Sequence, residues 1–100
     1  MENPEILTAL GLLYLQIGQT VPAFENLESC LAIDPKNEQS ILALGSALQA
    51  KGDYEEALSK YKALANYNPN SGHLWNNIGM CYFGRQKYIA VSFLSKRFFT

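Results

Sequence analysis

The fold is decided by a nine-residue stretch, Leu74-Trp75-Asn76-Asn77-Ile78-Gly79-Met80-Cys81-Tyr82. Within it, Trp75, Ile78, Gly79 and Tyr82 follow the spacing Trp-x2-Leu-Gly-x2-Tyr, with Ile in place of Leu. One match of this length is weak evidence unless it recurs along the chain at a fixed period. It does recur, because residues of the same kind stand 34 positions apart: Gly11, Gly45 and Gly79; Leu10, Leu44 and Ile78; Ala23 and Ala57; Pro35 and Pro69.

This 34-residue period is typical of a helix–turn–helix repeat whose copies stack into a solenoid. The sequence therefore predicts a single all-α domain over residues 1–100, with repeats at about 4–37, 38–71 and 72–100 and the last one incomplete. Gly18 and Gly52 are predicted to end the first helices of repeats 1 and 2. In repeat 3 we expect the second helix to begin at Tyr88.

The periodic glycines indicate where the two helices of a repeat come close together. Glycine inside a helix costs about 1 kcal/mol relative to alanine, so three at one period imply a packing requirement. We expect Gly45 to face Ala57 and Gly11 to face Ala23. In repeat 3 the corresponding small-residue position holds Val91, or Ala90 if the register moves by one residue.

Composition sets the broad class of the protein. Hydrophobic residues make up 48% and charged residues 17%, which suits a folded chain rather than a disordered one. No apolar run is long enough to span a bilayer, and no signal peptide stands out, so we expect a cytoplasmic protein. The net charge of −1 argues against general nucleic-acid binding. That charge is divided unevenly, with −5 on residues 1–50 and +4 on residues 51–100.

The pattern contains no recognisable catalytic or metal-binding constellation. His73 is the only histidine, and Cys30 and Cys81 lack the spacing of metal ligands or of a redox motif. Nucleophile elbows, phosphate-binding loops and dinucleotide fingerprints are missing as well. We therefore expect a protein that is not an enzyme and uses no cofactor or metal, and in which both cysteines are buried free thiols.

Function must then come from a surface, and repeat stacks present one on their concave side. The first helix of each repeat lines this inner wall. The predicted binding face is uncharged and apolar to neutral-polar, and it suits an extended or helical segment of a partner protein. Its residues are Thr8, Leu12, Leu15, Leu42, Ser46, Gln49, Asn76, Asn77, Met80 and Phe83.

At the level of the repeat, the chain resembles the tetratricopeptide family throughout. A closer resemblance is to the family of the fourth Bardet–Biedl syndrome protein, a subunit of the BBSome. It is found in residues 3–16, 41–62 and 74–84. The likeness covers about residues 3–89 and implies a non-enzymatic scaffold that carries membrane proteins to and from the cilium. It further implies the basal body and centriolar satellites as locations, with BBSome subunits, pericentriolar proteins and dynein–dynactin as partners. Members of that family have many more repeats than 100 residues can hold.

Two other readings belong to different functional classes. Chaperone adaptors resemble this chain in fold but grip acidic tails with Lys, Asn and Arg, whereas the matching positions here include Thr8, Ser46 and Met80. Regulatory repeats of a larger enzyme, such as a glycosyltransferase, would need an asparagine ladder where Ala9 and Ala43 stand, and only Asn77 matches it.

The isolated chain is also expected to self-associate through its terminal helices. A repeat buries apolar surface against its neighbours, so uncovered ends favour association. The arrangement could be a dimer, a head-to-tail stack or an exchange of the last helix. The apolar residues concerned are Leu7, Leu10, Leu13 and Tyr14 in the first helix and Val91, Phe93, Leu94, Phe98 and Phe99 in the last.

Overall fold

The computed structural model describes residues 3–99, with side chains described for residues 3–94. Five α-helices follow one another in this range: α1 (Pro4–Gln16), α2 (Thr20–Ile33), α3 (Glu38–Ala50), α4 (Tyr54–Tyr67) and α5 (Gly72–Phe99). Helix α1 packs on α2 and α3 on α4, while α1, α3 and α5 contact one another in sequence. This arrangement is the predicted all-α repeat stack. Among the described helices, none is long and apolar enough to cross a membrane.

The helix starts follow the sequence period because a polar cap recurs every 34 residues. The side chain of Asn3 accepts a hydrogen bond from the backbone N–H of Glu5 at 2.8 Å. Asn37 caps α3 in the same way, accepting from the N–H of Ser40 at 2.9 Å. At the start of α5, Ser71 Oγ accepts from the N–H of Leu74 at 3.2 Å. Each cap satisfies a backbone donor that has no partner within its own helix.

The ends of α1 and α3 are also alike, and each depends on a glycine. Gly18 has φ +79° and Gly52 has φ +85°, a left-handed conformation that favours glycine. In both turns the N–H of the next residue bonds back over five residues, from Gln19 to Tyr14 O at 2.8 Å and from Asp53 to Leu48 O at 2.9 Å. These are Schellman motifs, and they let the second helix fold back on the first.

The third repeat departs from the prediction, because α5 is one continuous helix of 28 residues. The prediction that a separate helix starts at Tyr88 is therefore wrong. The position equivalent to Gly18 and Gly52 is occupied by Gln86. Any residue with a Cβ is disfavoured in the left-handed conformation, by roughly 1–2 kcal/mol. Gln86 therefore favours continuing the helix over forming the turn found in the first two repeats.

The core lies between α3 and α4 and extends to the neighbouring helices. Leu27 of α2, Tyr61 of α4 and Leu74 of α5 are each 0% exposed and belong to one apolar cluster with the α3 side chains Leu44 and Leu48. Cys30 and Cys81 are buried free thiols, as expected. Burial raises the pKa of the Cys81 thiol, which keeps it in the unreactive protonated form.

The glycine contacts differ in detail from the prediction. A Cβ on Gly45 would lie 2.3 Å from Tyr61 Cε1, so the ring of Tyr61, rather than Ala57, lies against this glycine. A Cβ on Gly11 would meet the side chain of Leu27 at 2.6 Å, with the Ala23 carbonyl farther away at 3.4 Å. The partner of each glycine is thus a large side chain one turn beyond the alanine.

Because of Tyr61, the free energy of unfolding should depend on pH in the alkaline range. Its hydroxyl donates to Gln49 Oε1, and burial raises its pKa above the ordinary value of 10.0. Above that pH the unfolded phenol ionises while the folded one resists, so the free energy of unfolding should fall as pH rises past about 10. We expect Tyr61→Phe to lower stability by about 1 kcal/mol at neutral pH and to reduce this alkaline loss.

Urea unfolding between about pH 8 and 11 measures both effects. The matched control is Tyr67→Phe, which removes the same hydroxyl from a ring that is 48% exposed. An alkaline loss as steep in Tyr61→Phe as in the parent chain would contradict the assignment. Some loss remains in either case, because the buried Cys81 thiol also has a raised pKa.

Candidate functional site

The candidate site is the wall formed by the first helices of the three repeats. Helices α1, α3 and α5 lie side by side in that order, each in contact with the next. Every residue of the predicted binding face lies on one of these three helices. The structure nonetheless places these side chains in three different environments, and only part of the set can meet a partner.

Thr8 is not available for binding, which corrects the prediction. It is 3% exposed, and its hydroxyl contacts the Pro4 carbonyl and Ser40 Oγ at 2.8 Å and Cys30 Sγ at 3.1 Å. A buried hydroxyl needs such partners, because leaving it unsatisfied costs about 1–3 kcal/mol. Thr8 therefore joins α1, α2 and α3 instead of lining the wall.

A second group is half-buried and supports the wall. Leu12, Leu15 and Leu42 pack against the apolar core with part of each side chain still accessible. Gln49 accepts the hydrogen bond of Tyr61, which fixes its side chain over the α3–α4 contact. Asn77 donates to Ser46 Oγ at 3.5 Å and thereby bridges α5 and α3. These residues shape the surface and present only part of themselves to solvent.

The third group is exposed and lies mainly on α5. Met80 is 62% and Phe83 64% exposed, and Asn76 and Ser46 are exposed as well. Asn76 Nδ2 stands 3.8 Å from Met80 Sδ. Large apolar side chains this open to solvent cost free energy unless something covers them. The exposed part of the predicted face is therefore its α5 end.

Met80 and Phe83 line a shallow depression that the sequence pattern did not reveal. The remaining lining residues are Tyr54, Gly84, Lys87, Tyr88 and Val91. The rings of Tyr54 and Tyr88 lie 6.0 Å apart at 57°, and Gly84 leaves room for Tyr54, since a Cβ there would stand 3.0 Å from Cε1 of that ring. Predicting a turn before Tyr88 hid this grouping, because only a continuous α5 places Tyr88 and Val91 beside Met80 and Phe83.

Few charged side chains lie at or near the depression, and those present contact an aromatic ring or an opposite charge. Lys87 Nζ lies 5.4 Å from the centre of the Phe83 ring, which places one cation on a wall predicted to have none. Arg85 Nη1 donates to Glu55 Oε1 at 2.7 Å, and this bond raises the pKa of the arginine. The site is thus mainly aromatic and apolar with one lysine at its edge. Among the described residues, no group of three or more His, Cys, Asp or Glu side chains could hold a metal ion.

The repeat-signature residues of α5, Trp75, Gly79 and Tyr82, are exposed, whereas Gly45 at the matching position of α3 is buried. Trp75 is 51% and Tyr82 38% exposed, and the Trp75 indole donates to the Pro69 carbonyl. No described atom of another helix lies within 4 Å of where a Gly79 Cβ would stand. The side of α5 that corresponds to the α4-facing side of α3 is therefore uncovered.

The two apolar ends expected from the sequence are only partly exposed. Leu7 is 7% exposed and so belongs to the core, which corrects that prediction, and Tyr14 is half-buried. Leu10 and Leu13 are 38% and 54% exposed. At the other end, Val91, Phe93 and Leu94 are all about half exposed or more, while the side chains of Phe98 and Phe99 lie outside the described ones.

Comparison with known proteins matches this architecture. Residues 18–79 match the tetratricopeptide repeat family. The chain is 53% identical over 96 residues to BBSome complex member BBS4 of Bos taurus, which covers 96% of this chain and 18% of that protein. It is 43% identical over 97 residues to the BBS4 homolog of Drosophila melanogaster and 44% identical over 86 residues to bbs-4 of Caenorhabditis elegans. These matches cover 95% and 86% of this chain, and 20% and 19% of those relatives. The chain thus spans about a fifth of the length of these relatives.

Proposed function

Because the chain belongs to the tetratricopeptide repeat family, we propose that it is a non-enzymatic protein-interaction scaffold, acting as a BBSome subunit does. The single observation that carries this proposal is the 53% identity across 96% of the chain to a BBSome member. The 96 aligned residues run through all five helices and extend past residue 89, the limit of the resemblance expected from the sequence.

The proposed partners are other BBSome subunits, with pericentriolar and dynein–dynactin proteins as further candidates. The proposed role is the trafficking of ciliary membrane proteins, from the cytoplasm at the basal body and centriolar satellites. The three relatives are named as BBSome members, which supports assembly as the role.

The partner would bind at the α5 end of the wall. Met80, Phe83 and Tyr88 offer exposed apolar surface beside Tyr54, and Asn76 and Ser46 add neutral hydrogen-bonding groups. Aromatic and methionine side chains are the residue types most enriched at the centre of protein interfaces. A partner segment with apolar anchors and amide or hydroxyl groups fits this surface, whereas an acidic tail would meet only Lys87 there.

Two alternatives stand behind this proposal. A chaperone adaptor needs several cations on the inner wall, and the exposed part of the wall carries neutral Ser46 and Asn76 instead. A regulatory module of a larger enzyme would share the fold and differ in its partner. The relatives named above favour the BBSome reading over both.

The experiment is a pull-down with purified BBSome subunits assembled without BBS4. We expect the chain to bind, and Met80→Asp with Phe83→Asp to weaken binding at least about tenfold, because charged groups would be buried at the interface. The control is Val21→Asp, which alters an apolar residue of α2 that is 68% exposed. No binding by the parent chain would overturn the scaffold proposal; equal weakening by both variants would overturn the choice of surface.

A further inference from the structure

We propose that two copies of this chain pair through α5, each supplying the second helix that the third repeat of the other copy lacks. This inference goes beyond the scaffold role and concerns a surface other than the depression. The partner that covers this surface is a second copy of the chain, because the C-terminal half of α5 has the residue spacing needed to pack on the open face of another α5. The argument rests on a bare helix face, on the residues along it and on Gln86.

The bare face runs the length of the described part of α5. Trp75, Gly79, Tyr82, Gln86, Ala90 and Phe93 follow one another at intervals of three or four residues, so they lie on one side of the helix. All six are exposed. The buried α5 residues Leu74 and Cys81 lie on the opposite side, towards the core. Helix α5 is therefore held by one face and open along the other.

The same repeat position is covered in the two preceding first helices. The side chain of Leu27 lies against Gly11, and the ring of Tyr61 lies against Gly45. At Gly79, by contrast, no described atom occupies the corresponding space. The repeat pattern therefore specifies what should cover this face: a helix that presents a large apolar side chain to the glycine.

The chain's own second half cannot reach this face while α5 is straight. Gly18 and Gly52, at φ +79° and φ +85°, make the two fold-back turns, and Gln86 stands at the third turn position. A side chain at that position disfavours the left-handed turn. The second half of α5 is thus presented away from its own first half and is available to a neighbour, as in an exchange of identical elements.

Pairing two antiparallel α5 helices about Gln86 gives complementary contacts. Gly79 and Phe93 each lie seven residues from Gln86, so the Phe93 ring of one copy meets Gly79 of the other. Tyr82 and Ala90 each lie four residues away and pair in the same manner. Each contact joins a large side chain to a small one, which repeats the packing of Tyr61 on Gly45. Because the arrangement is two-fold symmetric, it closes as a dimer.

Charge distinguishes this dimer from a head-to-tail stack. Helix α5 carries four Lys and Arg residues and no Asp or Glu, so two α5 helices repel each other at low ionic strength. Arg85 is already paired with Glu55 of its own chain. Added salt screens the remaining repulsion, so the α5 dimer should strengthen with salt. A stack joining the −5 and +4 halves would weaken under the same conditions.

Sedimentation and light scattering across a concentration series test the pairing. We expect a mass near twice 11.2 kDa at high micromolar concentration, with a dissociation constant that falls as salt rises. Gly79→Leu and Phe93→Asp should each raise that constant at least about tenfold while leaving the helical circular dichroism of the monomer unchanged. Gln86→Gly should also favour the monomer, because it permits the internal turn.

The matched control is Leu13→Asp, since Leu13 is an exposed leucine of α1 and takes no part in the α5 pairing. Gln86→Cys adds a positive test, because the two-fold axis brings residue 86 of both copies together and mild oxidation should link them. Ser59→Cys, on an exposed site of α4, should not cross-link. A monomer at all concentrations, dimers lost in Leu13→Asp alone, or no link through residue 86 would each overturn the proposal.

Discussion

Gly45→Leu is expected to lower the free energy of unfolding by about 2–3 kcal/mol. Even the first added carbon would lie 2.3 Å from Tyr61 Cε1 and 2.5 Å from Cζ, closer than non-bonded carbons approach. The ring cannot withdraw easily, because Tyr61 is 0% exposed and its hydroxyl is bonded to Gln49. Since small domains have only about 5–15 kcal/mol in total, this loss is a large part of the stability.

The control for this substitution lies one repeat away. Gly79 stands at the same repeat position, yet no described atom of another helix lies within 4 Å of where its Cβ would be. At protein concentrations where the chain is monomeric, Gly79→Ala should raise stability by up to about 1 kcal/mol through helix propensity alone. Urea unfolding of the two variants should thus give changes of opposite sign. A Gly45→Leu chain as stable as the parent would refute the helix contact.

Leu74→Ala is expected to cost about 2–5 kcal/mol and to loosen α5 from the stack. Leu74 is 0% exposed and belongs to the apolar cluster shared by α3, α4 and α5, so its removal leaves a cavity at the α5 attachment. Repeat proteins are stabilised between neighbours, so the loss should be concentrated in the third repeat. Amide hydrogen exchange should show faster exchange in residues 72–85 than in α1 and α2.

Leu13→Ala is the matched control, since it makes the same chemical change where the side chain is 54% exposed. We expect a change within about 0.5 kcal/mol there. Helix propensity is nearly equal for leucine and alanine, so the difference between the two variants measures burial. Equal effects at both positions would show that Leu74 does not anchor α5.

Much of the fold follows from sequence periodicity. The 34-residue spacing of Gly11, Gly45 and Gly79 predicted the repeat stack, and the caps at Asn3, Asn37 and Ser71 fall at the same period. Such local signals are readable because a cap bonds within a few residues of itself. The candidate site was predicted less well: Met80 and Phe83 are exposed, but Thr8 is buried in contacts with α2 and α3.

The sequence by itself determined the first four helices and the start of the fifth, their period, and the close approach of paired helices at Gly11 and Gly45, because these depend on neighbouring residues and on a repeated pattern. Only the tertiary structure decided which large side chain meets each glycine, that Thr8 faces inward and that Tyr54 lies beside Tyr88. These contacts join residues far apart in the chain, and their geometry depends on how the helices pack. Gln86 belongs partly to each group. The sequence gives the residue at this position, but its effect on α5 follows only from comparison with the structures of the turns at Gly18 and Gly52.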